Sequence, residues 1–100
     1  MPVKIILTWD VHPEREQEYF DFVAREFIPA LQQLGLQPVE AWATLYGNQP
    51  QIQVEILASN LLNARRALAS EVWTALLKKL LELVENYRQK IIPACGGFQF

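Results

Sequence analysis

The sequence predicts an α+β domain in which four strands form one antiparallel sheet and helices cover a single face of it. Residues 3–10 and 36–57 indicate strands, because apolar and polar side chains alternate along them. A Gly-Asn-Gln-Pro turn at residues 47–50 divides the second segment into a hairpin. Residues 13–34 and 71–87 indicate helices, because apolar residues recur there at every third or fourth position.

One hundred residues form one domain, residues 1–100, without room for a second core. The net charge is −2 and no basic cluster stands out, so we expect no nucleic-acid partner. No apolar run approaches the ~20 residues that a membrane span needs, and no signal pattern begins the sequence. We therefore expect a cytoplasmic protein without a membrane partner. The single cysteine, Cys95, excludes an intramolecular disulfide and a cysteine-rich metal site.

The first strand, Val3 to Asp10, has apolar side chains on both faces, which is typical of a strand with a neighbour on each side. One face carries Val3, Ile5, Leu7 and Trp9, and the other carries Lys4, Ile6, Thr8 and Asp10. This strand is therefore expected near the middle of the sheet.

A helix is predicted from Pro13 to about Leu34, because proline suits a first helical turn and acidic residues follow it. Its apolar stripe comprises Phe20, Val23, Phe27, Leu31 and Leu34. Pro29 lies inside this pattern and removes one backbone hydrogen bond, so we expect a kink near Arg25. Gly35 is the expected C-terminal stop.

The hairpin from Leu36 to Leu57 has two unlike faces. The aliphatic face, which we expect a helix to cover, carries Val39, Ala41, Ala43, Leu45, Ile52, Val54 and Ile56. The mixed face carries Glu40, Trp42, Thr44, Tyr46, Gln51, Gln53, Glu55 and Leu57. A polar sheet face with large aromatic side chains is rarely plain solvent surface, so we expect it to contact either a ligand or a second copy of the chain.

Two helices follow the hairpin. Ser59 or Asn60 is expected to cap the first, and Ser70 to cap the second. The buried side of the first is predicted to comprise Leu61, Leu62, Ala64 and Leu68. The stripe of the second is predicted to comprise Trp73, Leu76, Leu77, Leu80, Leu83 and Val84.

The fourth strand is predicted from Arg88 to Ile92, and the apolar segment at residues 98–100 needs a partner of its own. The order strand, helix, strand, strand, helices, strand is that of the ferredoxin-like split βαβ arrangement. One sheet face is left without helices in this arrangement, and it is the mixed face of the hairpin.

The stretch FIPALQQLGLQPVEAWATLYGNQPQIQVEILAS, residues 27–59, resembles NIPSNAP-type members of the dimeric α/β-barrel superfamily. More loosely, it is similar to the antibiotic-biosynthesis-monooxygenase group. In that superfamily two sheets meet face to face and close a barrel between protomers. Its members range from cofactor-free oxygenases and haem-degrading enzymes to proteins without an assigned activity. The resemblance implies a homodimer formed through the exposed sheet face.

Asp10 and His12 are the candidate catalytic residues, as a base and its orienting group or as two metal ligands. The alternative is a turn aspartate followed by a histidine at a helix N-cap. One histidine without a second histidine or a nearby cysteine disfavours a transition-metal site, so we expect no metal and no cofactor.

Four aromatic residues are candidates for substrate binding: Trp9, Trp42, Tyr46 and Trp73. They could line a pocket, as the resembling oxygenases use to hold flat polycyclic substrates, or they could belong to the core or the interface. The leading hypothesis is therefore a homodimeric barrel protein that binds a small apolar ligand. The alternative is a small cofactor-independent oxygenase or isomerase acting on an aromatic substrate.

Overall fold

In the computed structural model, four antiparallel strands form one sheet in the order β2-β3-β1-β4. The strands are β1 Val3–Val11, β2 Gln37–Tyr46, β3 Gln49–Ala58 and β4 Val84–Pro93. The structure describes residues 1–46 and 49–94, and the side chains of residues 1–44 and 51–94. The helices pack on one face of the sheet, so the predicted α+β, ferredoxin-like architecture is confirmed.

The first helical segment is continuous but changes its winding. A 3₁₀ turn (Pro13–Arg15) leads into α1 (Glu16–Phe22), a π-helical turn (Val23–Phe27) and α2 (Ile28–Gln33). In the π turn the backbone N–H of Ile28 donates to the carbonyl of Val23, five residues back. This π turn lies directly upstream of Pro29 and includes Arg25, where the kink is predicted.

The π turn shifts the buried face of α1 by one residue. Tyr19 and Phe22 are buried, whereas Phe20 is 54% exposed, so the predicted placement of Phe20 in the apolar stripe is wrong. The predicted stripe assumes regular α-helical spacing before Phe27. The wider π turn places Phe22 rather than Val23 one turn before Phe27, which moves the inward position from Phe20 to Tyr19.

Gly35 ends this segment as predicted. Its φ of +73° is a left-handed conformation that glycine adopts without strain. The N–H of Leu36 donates to the carbonyl of Leu31, and the N–H of Gly35 donates to that of Gln32. These two bonds form a Schellman motif, which turns the chain into β2.

Helix α3 (Leu61–Leu68) is capped by Asn60, whose side chain accepts from the N–H of Asn63 at 2.8 Å. The predicted buried side is partly wrong, because Leu61 and Leu62 are 40% and 56% exposed. The buried residues of α3 are Ala64 and Ala67. These small residues pack against the core, and the two leucines face away from it.

Helix α4 (Glu71–Leu83) is capped by Ser70, as predicted, with the N–H of Trp73 donating to the serine Oγ at 3.2 Å. The helix ends at Leu83 and β4 begins at Val84, so the predicted start of the fourth strand at Arg88 is wrong. Val84 and Tyr87 continue the helical spacing of α4 in sequence. In the structure both pack against the core from β4.

A β-bulge in β4 keeps both of these side chains on the inner face. The register with β1 shifts between Thr8 and Asp10, and Asn86 at the bulge has a φ of 57°. Asparagine tolerates this left-handed conformation better than other residues with a side chain. The side chain of Asn86 then donates from Nδ2 to Oδ2 of Asp10 at 2.7 Å.

The core lies between the helices and the inner face of β1, β3 and β4. Its largest fully buried side chains are Trp9, Phe27, Ile5, Leu7, Leu31, Ile56, Leu80 and Val11. Edge strand β2 extends beyond the helices, so that Val39, Ala41 and Ala43 of the predicted aliphatic face are exposed. Among the described residues, none of the helices is long and apolar enough to cross a membrane.

Candidate functional site

A cleft of about 320 Å³ lies between the first helical segment and the β2 side of the sheet. Its walls include Trp9, Tyr19, Phe27, Ile28, Val39 and Ala41. Most of these side chains are aliphatic or aromatic. A concave apolar site with few polar groups is the usual form of a small-molecule pocket.

Two irregularities of the backbone shape this cleft. The π turn directs Tyr19 and Phe27 of the helical segment towards the sheet. In β2 the register with β3 shifts between Pro38 and Glu40, which leaves Val39 at a bulge on the rim. Because β2 is the edge strand and is not fully covered by helices, the cleft opens to solvent on that side.

Trp9 forms the inner wall of the cleft and is 1% exposed. Its ring meets those of Tyr19 and Phe27 edge to face, with centroids 6.3 Å and 5.9 Å away. The ring of Tyr87 stacks on it with an interplanar angle of 12° and a centroid distance of 6.2 Å. The indole Nε1–H donates to the hydroxyl oxygen of Tyr19 at 2.9 Å. These contacts fix the indole plane.

Burial raises the pKa of the Tyr19 hydroxyl to about 12, and the hydrogen bond from Trp9 offsets this effect in part. The hydroxyl therefore stays protonated at neutral pH. Burial also raises the pKa of Tyr87, whose hydroxyl donates to Oε1 of Gln89 at 2.6 Å. Both tyrosines that contact Trp9 are thus neutral in the folded protein.

The predicted aromatic residues do not share one cavity. Trp9 lines the cleft, whereas Trp73 lies deeper in the core, with its ring centroid 6.1 Å from that of Phe27. Trp42 lies opposite Gln53 on the other face of the sheet and is 43% exposed. The side chain of Tyr46 lies outside the described residues, as does Cys95. Alternation along the strands separates Trp9 from Trp42.

Asp10 and His12 lie at the end of β1 and neither lines the cleft. Asp10 is engaged by Asn86, as described above, while Nδ1 of His12 lies 3.8 Å from a carboxylate oxygen of Glu85. His12 occupies the N-cap position of the 3₁₀ turn, without a side-chain capping bond. In residues 1–46 and 49–94, no group of three or more His, Cys, Asp or Glu side chains could hold a metal ion.

The open face of the sheet, on the side away from the helices, is the second surface of interest. A groove of about 460 Å³ crosses it, and its lining includes Ile6, Thr8, Gln53, Glu55, Arg88 and Ile92. Ile6 is only 6% exposed although no helix covers it. Lys4 forms a 3.0 Å ion pair with Glu55, whose side chain is 14% exposed. The face is therefore polar but contains apolar side chains along its middle.

Tyr19 is one of the cleft residues that the sequence pattern missed. Regular helical periodicity places its neighbour Phe20 on the inner face instead, because that periodicity does not include the wider π turn. A signal was nonetheless present: Pro29 within an apolar helix indicates an irregular turn upstream, and such a turn changes which residues face inward.

Solved structures with this fold include a NIPSNAP family protein from Agrobacterium tumefaciens. Its TM-score is 0.73 at 19% identity, covering 96% of this chain and 95% of that one. A NIPSNAP-like domain protein from Burkholderia xenovorans has a TM-score of 0.70 at 17% identity, over 98% and 89% of the two chains. These likenesses show the fold.

A protein from Deinococcus radiodurans, described as a candidate antibiotic biosynthesis monooxygenase, has a TM-score of 0.71 at 16% identity. The match covers 98% of this chain and 97% of that one. No protein-family model matches the sequence, and no protein with a curated description does. The resemblance to NIPSNAP-type and monooxygenase-type proteins is thus confirmed at the level of the fold.

Proposed function

We propose that this chain is a homodimeric ligand-binding protein whose cleft holds a small apolar molecule. The cleft between the first helical segment and β2 is the observation that carries the proposal. Its volume of about 320 Å³ is at the lower end of the roughly 300–1,000 Å³ typical of ligand pockets. A molecule of one or two rings fits that size, and aromatic edges from Trp9 and Phe27 would contact its faces.

The open sheet face supports the homodimer. Trp42 and Ile92 are 43% and 37% exposed there, and Ile6 lies between them at the floor of the groove. A second copy packed on this face would bury both exposed side chains, Trp42 and Ile92, and cover Ile6. The resemblance to the dimeric α/β-barrel superfamily, in which two sheets meet face to face, further supports this arrangement.

The charges on the open face favour one relative orientation of the two copies. Glu40 lies on edge strand β2, whereas Arg88 and Lys90 lie on the opposite edge strand, β4. A two-fold axis parallel to the strands would place β2 of one copy over β4 of the other, and opposite charges would meet. An axis perpendicular to the strands would place like charges together, which costs free energy. We propose the first arrangement.

The ligand proposal is tested by narrowing the cleft from its rim. Ala41 and Ala43 are neighbouring exposed positions on the inner side of β2, but Ala41 lines the cleft and Ala43 does not. With tetralin as the probe in calorimetry, Ala41→Phe should weaken binding at least tenfold, whereas Ala43→Phe should bind as the wild type does. An equal effect of both substitutions, or no binding to the wild type, would reject the cleft as the site.

A second proposal makes the chain a cofactor-independent oxygenase or isomerase. It is supported by the fold shared with the Deinococcus radiodurans protein. Asp10 and His12, at the end of β1 and outside the cleft, would be its acid–base residues, and Trp42 and Tyr46 would be the aromatic groups around its substrate.

Oxygen uptake with 1-naphthol tests the oxygenase form of this second proposal. Uptake by the wild type that Asp10→Asn and His12→Ala each abolish would support the assigned roles. Uptake unchanged in both variants would remove Asp10 and His12 from the chemistry. Absence of oxygen uptake by the wild type would reject the oxygenase form of this proposal.

A further inference from the structure

We propose that the Tyr19 hydroxyl selects the ligand of the cleft by donating a hydrogen bond to it. The ligand would then be a neutral, largely apolar molecule with one acceptor oxygen, such as a ketone. This inference rests on the proposed ligand-binding function of the cleft and specifies the chemistry of its occupant.

The hydrogen bonds of Tyr19 leave one donor unused. A tyrosine hydroxyl can accept hydrogen bonds and can donate one. The oxygen accepts from Nε1 of Trp9 at 2.9 Å, but nothing among the described residues accepts the hydroxyl proton. The side chain is 3% exposed and lines the cleft. A buried donor without an acceptor is costly, and an acceptor oxygen in the cleft would remove that cost.

The contact with Trp9 also determines which of the two groups can donate a hydrogen bond to the ligand. The indole has a single N–H, and the Tyr19 oxygen already receives it. A hydroxyl that accepts one hydrogen bond becomes a better donor for the next, because successive bonds polarise one another. Tyr19 is therefore the donor presented to the cleft, and Trp9 holds it in place.

The charge of the lining argues for a neutral ligand. No lysine or arginine is among the described residues of the lining, and the carboxylate of Glu40, whose cross-strand partner is Glu55, lies on the open face. An anionic ligand would be desolvated against apolar walls without a cation to compensate it. The raised pKa of Tyr19 is consistent with this, since the hydroxyl remains a neutral donor.

A matched pair of probes tests the proposal: 1-tetralone and tetralin, which share two rings and differ in one carbonyl oxygen. The wild type should bind tetralone roughly two- to tenfold more tightly, the net contribution of one hydrogen bond. Tyr19→Phe should abolish this preference. Tyr87→Phe is the control, because Tyr87 also contacts Trp9 but donates its hydroxyl proton to Gln89. It should retain the wild-type ratio.

The outcomes separate this inference from the function on which it rests. Equal binding of the two probes by the wild type would overturn the role of Tyr19 and leave the apolar cleft standing. Binding of neither probe would overturn both. A preference for tetralone that persists in Tyr19→Phe would assign the donor to another group.

If Tyr19→Phe does not fold, a measurement on the wild type tests whether the bound ligand accepts a hydrogen bond. The carbonyl stretching frequency of bound, isotope-labelled tetralone should fall below its value in an alkane solvent, because hydrogen bonding weakens the C=O bond. An unshifted frequency would overturn the proposal.

Discussion

The indole Nε1–H of Trp9 and the hydroxyl oxygen of Tyr19 form a buried hydrogen bond of 2.9 Å between β1 and α1. It joins the centre of the sheet to the helical layer at the wall of the cleft. Leaving either partner alone would bury an unsatisfied polar group, which typically costs about 1–3 kcal/mol. This contact thus links the stability of the domain to the geometry of its candidate site.

The first prediction concerns alkaline pH. Burial raises the pKa of Tyr19 from its ordinary value of 10 to about 12, so the folded state retains a proton that the unfolded state loses. The stability due to this effect is complete below pH 10 and is lost as the pH rises from 10 to about 12. Tyr87 acts in the same direction.

Urea unfolding across this pH range checks the prediction. The free energy of unfolding should decline less steeply with pH in Tyr19→Phe than in the wild type, whereas Val72→Ala, at an exposed position of α4, should leave the slope unchanged. The slope is compared rather than the absolute stability, because Tyr19→Phe also leaves the Trp9 N–H without its acceptor and so lowers the stability at every pH. Parallel slopes for Tyr19→Phe and the wild type would show that Tyr19 titrates normally in the folded protein.

The second prediction concerns the contribution of Trp73 to the core. Its side chain is 2% exposed and lies against Phe27. Trp73→Ala should reduce the free energy of unfolding by about 3–5 kcal/mol, the usual range for truncating a large buried aromatic residue. Val72, the preceding residue of α4, is 45% exposed. Val72→Ala should therefore change the free energy of unfolding by less than about 0.5 kcal/mol. A loss of under about 1 kcal/mol in Trp73→Ala, measured by denaturant unfolding, would contradict the core role.

The third prediction concerns the π turn upstream of Pro29. Phe22 and Phe27 are both buried, with ring centroids 6.1 Å apart, but five residues in a regular α-helix would rotate them apart by roughly 0.4 of a turn. We therefore expect packing to hold the π turn in Pro29→Ala, with a change in unfolding free energy of less than about 1 kcal/mol. Restoring the backbone N–H alone should not straighten the helix.

Phe27→Ala provides the contrast, because it removes the side chain whose burial requires the π turn. It should cost about 3–5 kcal/mol. Crystal structures of both variants would check the winding. A regular α-helix through residues 23–27 in Pro29→Ala would show that the proline, rather than the packing of Phe27, determines the π turn.

Features with a local chemical cause could be predicted from the sequence. Ser70 and Gly35 mark the ends of helices because one supplies a side-chain acceptor and the other adopts a positive φ. The same holds for the separation of Trp9 from Trp42 by strand alternation, since side chains two positions apart share a face.

Features that depend on tertiary packing could not be predicted in the same way. The spacing of Leu83, Val84 and Tyr87 suits a helix and a bulged strand equally well, and pairing with β1 decides between them. The cleft depends on the π turn and on the bulge at Val39, and neither has an unambiguous sequence pattern. Tyr19 was missed for this reason, although it supplies the polar group of the site.

The last prediction concerns assembly through the open sheet face. Trp42 lies in a cross-strand row with Gln53, Thr8 and Arg88, and a second copy placed on this row would bury its exposed ring. A specific interface of this kind should bury more than about 1,000 Å² in total. Trp42→Glu would place a carboxylate in the interface and should yield monomer or aggregate, because a buried unpaired charge is strongly destabilising.

Sedimentation equilibrium at tens of micromolar measures the effect. Val72→Glu is the control, since Val72 is exposed to a similar extent but lies on α4, on the opposite side of the sheet, and this variant should remain a dimer. Deleting residues 98–100, which lie outside the described residues, should weaken the dimer less than Trp42→Glu. A wild-type chain that stays monomeric at these concentrations would refute the homodimer. Dissociation by Val72→Glu but not by Trp42→Glu would instead place the interface on the helical side of the sheet.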